Sequence, residues 1–294
     1  MKKTGFKKTG FNKTGFKKAG SNINFNISRK LFYLFLTLLA LIYLVPVYMA
    51  IVTSLKDPSE INLLTSWAPP KRINFDGFKQ AFTLLKTDVF NSIILAFSAT
   101  IISAFVGSMN GYVFSKNKFK GSEIIFTLLL FGMFIPYQII LIPLFQLLKN
   151  IGLYGSLTGL ILAHVIYGIP IVTLIFRNFY DQISNSIMES GRLDGAGYFG
   201  LYFRLILPLS IPGFVVVGIW QFTQIWNEFL WGITLTRKSA NPITVGLAQL
   251  AGGQAVSWNI PMAGALMAAV PVLIIYIFLG KYFIKGLLSG SVKE

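Results

Sequence analysis

Val89-Phe-Asn-Ser-Ile-Ile-Leu-Ala-Phe-Ser-Ala-Thr-Ile-Ile-Ser-Ala-Phe-Val-Gly-Ser-Met-Asn-Gly-Tyr-Val-Phe114 holds no charged side chain, and Ser-Lys-Asn-Lys-Phe-Lys-Gly121 follows at once. A helix rises 1.5 Å per residue, so about 20 apolar residues cross the hydrocarbon core of a bilayer. The run is long enough to cross. The lysines beyond it, Lys116, Lys118 and Lys120, mark its exit as the cytoplasmic side.

Outward from this stretch the pattern repeats. Apolar runs at Leu31–Val52, Ile124–Leu148, Leu157–Phe176, Pro208–Thr234 and Met262–Phe283 bring the predicted crossings to six. Several contain proline (Pro46, Pro136, Pro143, Pro170, Pro212, Pro271). Proline breaks a helix in water but acts as a kink in a membrane bundle, where neighbours satisfy the freed carbonyls. The predicted fold class is an all-α integral membrane protein with six transmembrane helices and both termini cytoplasmic. That orientation places 18 Lys and Arg inside and 8 outside, but nine of the 18 belong to residues 1–30, so the tail carries most of the bias.

Composition agrees. Of 294 residues, 54% are hydrophobic and 12% charged, with a mean hydropathy of +0.66. Soluble domains carry about 25% charge. The net charge of +16 is accounted for by membrane orientation, so no nucleic-acid partner is expected. The chain has no cysteine and one histidine, which removes disulfide and thiolate chemistry and a multi-ligand zinc site. His164 lies in an apolar run and reads as a packing or hydrogen-bonding residue.

Residues 1–30 form a basic, low-complexity segment in which Lys-Thr-Gly-Phe recurs at Lys3–Phe6, Lys8–Phe11 and Lys13–Phe16. It reads as a disordered cytoplasmic tail without a signal-peptide cleavage site, drawn to anionic lipid by about 1 kcal/mol per lysine. Residues 31–294 are expected to form one six-helix domain.

The longest inner loop, about Arg177–Leu207, contains Ser186-Ile-Met-Glu189-Ser-Gly-Arg-Leu-Asp194-Gly195-Ala196. The spacing predicts a short helix: Ser186 and Glu189 stand as in a capping box, and Asp194-Gly195 is a stop with glycine at C′. Ser190 and Gly191 would leave one face nearly bare, suited to seating in a partner's groove. A helix this short is unstable alone in water and needs something to dock against.

The segment resembles the Glu-Ala-Ala loop of ABC importer permeases, matching at Glu189, Gly195 and Leu207-Pro208, with Ser190-Gly191 for the two alanines and no lead-in proline at Ile183-Ser184-Asn185. Further stretches resemble maltose-type (MalG-like) sugar permeases. They are Tyr112–Gly121, Ile135-Pro-Tyr-Gln138, Ile142-Pro-Leu144, Trp226-Asn-Glu-Phe229, and Lys281–Gly286 with Ser289–Lys293. The resemblance extends over roughly residues 30–294, all but the tail.

The resemblance implies a type I ABC importer permease in the cell membrane. It would form half of a carbohydrate pathway with a second (MalF-like) permease, two copies of an ABC ATPase and an extracellular solute-binding protein. This chain has no phosphate-binding Gly-x-x-x-x-Gly-Lys-Ser/Thr loop, so it is expected to be no enzyme, with ATP and Mg held by the ATPase and no cofactor or metal of its own. By resemblance, Glu189, Ser190, Gly191, Arg192, Asp194 and Gly195 form the ATPase-coupling surface. A plainer role for Glu189 is capping its own helix or pairing with Arg192.

Three further candidates remain. Glu228 is the only acidic residue inside a predicted span; with Asn227 it either lines and gates the substrate path or fixes helices together. Gly252, Gly253 and Gln254 lie where related permeases reach into the binding protein, or form a plain turn. Gly290, Ser291, Val292 and Lys293 resemble a tail that touches the ATPase. Of the aromatic residues, none is singled out for sugar contact; belt and lipid-facing roles cover them. The alternatives are an ABC permease for another solute such as glycerol phosphate or an amino acid, and an ion-coupled secondary transporter. The latter would be expected to carry more intramembrane ionisable groups.

Overall fold

The computed structural model describes residues 25–62, 64–253 and 256–289. The chain divides into two units, Met1–Tyr48 and Met49–Glu294. In the first, helix α1 (Phe25–Ser54, its last turn in the second unit) presents Leu31, Phe35, Leu38 and Ile42 openly. An apolar surface of this kind suits lipid and not water. Most of the basic tail lies outside the described residues.

Among the described residues of the second unit the regular structure is helical, with one isolated bridge between Gly155 and Thr236. Its axis is α2 (Asp76–Lys116), which starts 13 residues before the predicted run. Asp76 at its first turn and Lys116 at its last complement the helix dipole. On one face it buries Leu95, Ala99, Ser103, Gly107, Gly111 and Ser115, every fourth residue and mostly small. Membrane helices approach closely over such stripes because dispersion contacts replace the missing hydrophobic drive. Here the partner is α5 (Leu157–Asp181). A Cβ on Gly107 would lie 2.5 Å from Val172 Cγ1, and one on Gly111 2.7 Å from Phe176 Cβ.

Two predicted spans are not single helices. The third run breaks into α3 (Ser122–Phe131), a 3-10 turn to Phe134, and α4 (Leu141–Asn150). The interruption falls at Pro136: the residue before a proline is driven out of the helical region, and Ile135 is extended (φ −77°, ψ 114°). The fifth run is also divided. The chain follows α6 (Asn185–Leu193), α7 (Tyr198–Leu201), a π-helical turn over Tyr202–Ile206, and α8 (Leu207–Leu209). It then bends by 72° into α9 (Ile211–Trp226). A second break at Asn227–Phe229 separates α10 (Leu230–Leu235). The last helices are α11 (Ile243–Ala251) and α12 (Asn259–Ser289), the latter packed on α2 and α9. Among the described residues four helices, α1, α2, α5 and α12, are long and apolar enough to cross a membrane, or five if the bent pair counts as one.

Two buried clusters organise the unit. One gathers Leu85, Leu95, Leu160, Phe222, Trp226 and Trp231. The other gathers Tyr112, Phe176, Tyr180, Met188, Tyr202 and Ile206 beneath the α6 segment.

Candidate functional site

Helix α6 begins at Ser184, whose Oγ accepts from the Ser186 amide at 3.2 Å. The predicted capping box between Ser186 and Glu189 does not form. Ser184 already occupies the N-cap, and the Ser186 hydroxyl is bonded to it at 2.7 Å. The predicted stop is present. The Ala196 amide donates to Gly191 O at 2.9 Å and the Gly195 amide to Arg192 O at 3.0 Å, with Gly195 at φ +80°. This pair of bonds is the Schellman ending that a left-handed glycine makes possible.

The faces of α6 are not as the sequence predicts. Ser190 and Gly191 share no open face. Gly191 is buried, and a Cβ there would lie 2.5 Å from Leu205 Cδ1 and 2.6 Å from Leu201 Cδ2. Together with Met188 it seats the helix on its own chain. Glu189, Ser190, Arg192, Asp194 and Gly195 are exposed, and Leu193 is 89% exposed beside them. Glu189 makes no ion pair with Arg192 among the described residues.

Lys116, the last residue of α2, holds the start of α6: its Nζ donates to Ile183 O at 2.6 Å and to Asn185 Oδ1 at 3.1 Å. Beside it Ser115 Oγ donates to Asp181 Oδ1 at 2.7 Å. Arg177 grips both Glu123 oxygens at 2.8 and 2.9 Å, tying α5 to α3. Deeper in, Ser108 on α2 bonds the hydroxyls of Tyr180 (2.5 Å) and Tyr202 (2.9 Å). Helix α6 is thus fastened to the end of α2 by Lys116 and packed through Gly191 on Leu201 of α7 and Leu205 of the π-helical turn.

A separate cavity of about 590 Å³ lies between α5 and the break after α9. Tyr137, Tyr167, Trp220 and Trp231 contribute aromatic wall; Tyr167 and Trp231 meet edge-on at 5.3 Å. His164, Gln221, Gln224, Asn227 and Glu228 contribute the polar groups. Glu228 stands at the break between α9 and α10 and not within a helix. Its carboxylate accepts from the Trp231 amide at 2.7 Å and the Gly232 amide at 3.1 Å, and its carbonyl accepts from Thr244 Oγ1 at 2.8 Å. Glu228 therefore caps α10 and also faces the cavity. Asn227 is exposed and donates to Thr223 O at 2.8 Å.

The family model for the inner membrane component of binding-protein-dependent transport systems matches residues 103–289. The chain belongs to this family. The permease is 45% identical to a probable ABC transporter permease protein of Pyrococcus horikoshii, over 90% of this chain and 98% of that one. It is 36% identical to the xylose/arabinose import permease protein XacI of Haloferax volcanii, over 83% and 87%. With the arabinooligosaccharides transport system permease protein AraQ of Bacillus subtilis it shares 34%, over 92% and 97%. Its fold matches a chain in the crystal structure of a bacterial ABC transporter involved in alginate import, with a TM-score of 0.76 at 21% identity, covering 89% and 98%.

Of the permease's sequence-predicted positions, Gly252 and Gly253 are exposed just after α11. Gln254 and Gly290, Ser291, Val292 and Lys293 lie outside the described residues. Leu193, Lys116 and the aromatic wall are not among the predicted positions. Leu193 was legible as an apolar residue in a polar helix; the aromatic wall was not, since its members lie up to 94 residues apart, from Tyr137 to Trp231.

Proposed function

We propose that this permease forms half of the translocation pathway of an ATP-driven carbohydrate importer and that α6 is the helix through which a separate ATPase drives it. The observation that carries the coupling role is the exposed Leu193, flanked by Glu189 and Asp194, on a short helix fastened to α2 by Lys116. A partner's groove would cover Leu193, and Glu189 would meet basic groups or backbone donors there. Gly195 has nothing within 4 Å of a built Cβ, so it leaves room for close approach.

The carbohydrate reading is supported by the substrates that relatives' names carry: arabinooligosaccharides, xylose and arabinose. The full assembly would comprise a second permease of MalF type, two ATPase copies that hold ATP and Mg, and an extracellular binding protein reached by the Gly252–Gly253 loop. In this reading the chain crosses six times, with the broken α3–α4 segment as the third crossing and both termini in the cytoplasm.

The decisive experiment co-expresses the chain with its ATPase and binding protein and replaces Gly195→Arg. The bulky, charged side chain in a left-handed position should abolish ATPase co-purification and ATP-dependent uptake. Intact assembly and uptake would remove α6 from the coupling role.

A further inference from the structure

Three buried hydroxyls meet where α2, α5 and the π-helical turn come together. Ser108 and Tyr180 are 0% exposed and Tyr202 is 1% exposed. Ser108 Oγ is bonded to Tyr180 Oη at 2.5 Å and to Tyr202 Oη at 2.9 Å. Burying a hydroxyl is costly unless it is hydrogen-bonded, and in a membrane bundle such bonds tie one helix to the next.

The two bonds of Ser108 join unlike partners. Tyr180 belongs to α5, which is seated tightly on α2: a single Cβ added at Gly107 or Gly111 would collide with Val172 or Phe176. Interfaces packed this closely resist sliding, so α2 and α5 move as one body. Tyr202 instead opens the π-helical turn, in which the Leu207 amide donates to Tyr202 O. Turns of this kind are rare and often mark functional positions. This turn is also where α6 rests. Leu201 and Leu205, on either side of Tyr202, are the side chains that stand against Gly191. Met188 of α6 lies in the same buried cluster as Tyr180 and Tyr202. A push on α6 therefore reaches Tyr202 through its neighbours, while Ser108 and Tyr180 stay together.

We infer that the Ser108–Tyr202 hydrogen bond is a latch that holds the π-helical turn, and with it α6, to α2, and that Tyr202 is a positioning residue for the coupling helix. The inference rests on the coupling reading above and deepens it by naming the contact that must yield when α6 moves. Ser108 suits the role because its hydroxyl both donates and accepts. When Tyr202 leaves, the bond to Tyr180 remains and Ser108 keeps a partner. The latched arrangement is favoured by one neutral hydrogen bond, an advantage small enough for a stroke of the ATPase to override.

The test measures ATP hydrolysis by the assembled complex in nanodiscs without binding protein, alongside its thermal midpoint. Tyr202→Phe and Tyr180→Phe each remove one phenolic oxygen and leave Ser108 bonded to the other, so both should assemble with similar midpoints. Tyr202→Phe should raise hydrolysis about fivefold, the equivalent of one neutral hydrogen bond lost from the latched state. Tyr180→Phe should stay within about twofold of wild type. Damage to the fold lowers hydrolysis, so a merely structural role does not produce the rise. Ser108→Ala removes both bonds and should raise hydrolysis at least as much; it decides if Tyr202→Phe does not assemble. Unchanged or lower hydrolysis in the deciding variant, or an equal rise in Tyr180→Phe, would overturn the latch. The coupling role of α6 would still stand if Gly195→Arg prevented ATPase co-purification. A Gly195→Arg complex that assembles and transports like wild type would overturn both.

Discussion

Two glycines that look alike in the sequence behave differently in the fold. At Gly111 a Cβ would lie 2.7 Å from Phe176 Cβ and 2.8 Å from the backbone nitrogen of Arg177, neither of which can move aside without shifting α5. At Gly191 the obstructing atoms are the methyl ends of Leu201 and Leu205, which turn away easily. Gly111→Ala should therefore cost about 1–3 kcal/mol by overpacking, seen as a lower midpoint in detergent thermal unfolding. Gly191→Ala should be tolerated or mildly stabilising, since alanine gains about 0.8–1 kcal/mol of helix propensity, and uptake should persist. The alanine in the Glu-Ala-Ala pattern agrees with that expectation. Sequence reading marks both positions as small and cannot tell them apart, because the difference lies in whether backbone or a flexible side chain stands opposite.

At the scale of the element, α6 works as a fastened peg. Lys116 is its main polar tether, with a charged donor on Ile183 O and Asn185 Oδ1. Lys116→Met should loosen α6 by about 1 kcal/mol, discounted for its partial exposure, and hydrogen exchange of the Asn185–Leu193 amides should quicken about fivefold. Leu193→Asp should leave the permease folded, since the side chain touches little of its own chain, yet weaken ATPase co-purification at least about tenfold. The existence of α6 and its glycine stop were legible in Asp194-Gly195. Its inward face was not, because Leu201 and Leu205 come from the next elements. Proline was equally ambiguous: Pro46, Pro170 and Pro271 stay inside long helices, whereas Pro136 lies where one ends. Local sequence offers the same break signal each time, and neighbouring helices decide whether the lost hydrogen bond is tolerated.

For the whole molecule, the absence of cysteine allows a clean test of how the chain threads the bilayer. Single replacements Lys118→Cys and Leu193→Cys should react with an impermeant maleimide only when the inner side is opened. Lys149→Cys and Trp258→Cys should react from outside in intact cells. The reverse pattern would invert the orientation read from the lysines. Hydropathy made the membrane class legible because burial in lipid demands an unbroken apolar composition over each crossing. It left the 72° bend and the cavity beside α5 unread, since both arise from how distant segments pack.

One consequence follows from the unbroken length of α2. Its 41 residues make a rod about 60 Å long, twice the hydrocarbon thickness. Lys116 at one end grips the α6 segment, and Gly77 at the other lies against the carbonyls of Ser54 and Asn259. A rod of that length pivoting about its middle by about 10° carries each end through about 5 Å. Helix α2 is thus long enough that, turning as one rod, it would answer a small displacement at its Lys116 end with an equal and opposite one at its Gly77 end.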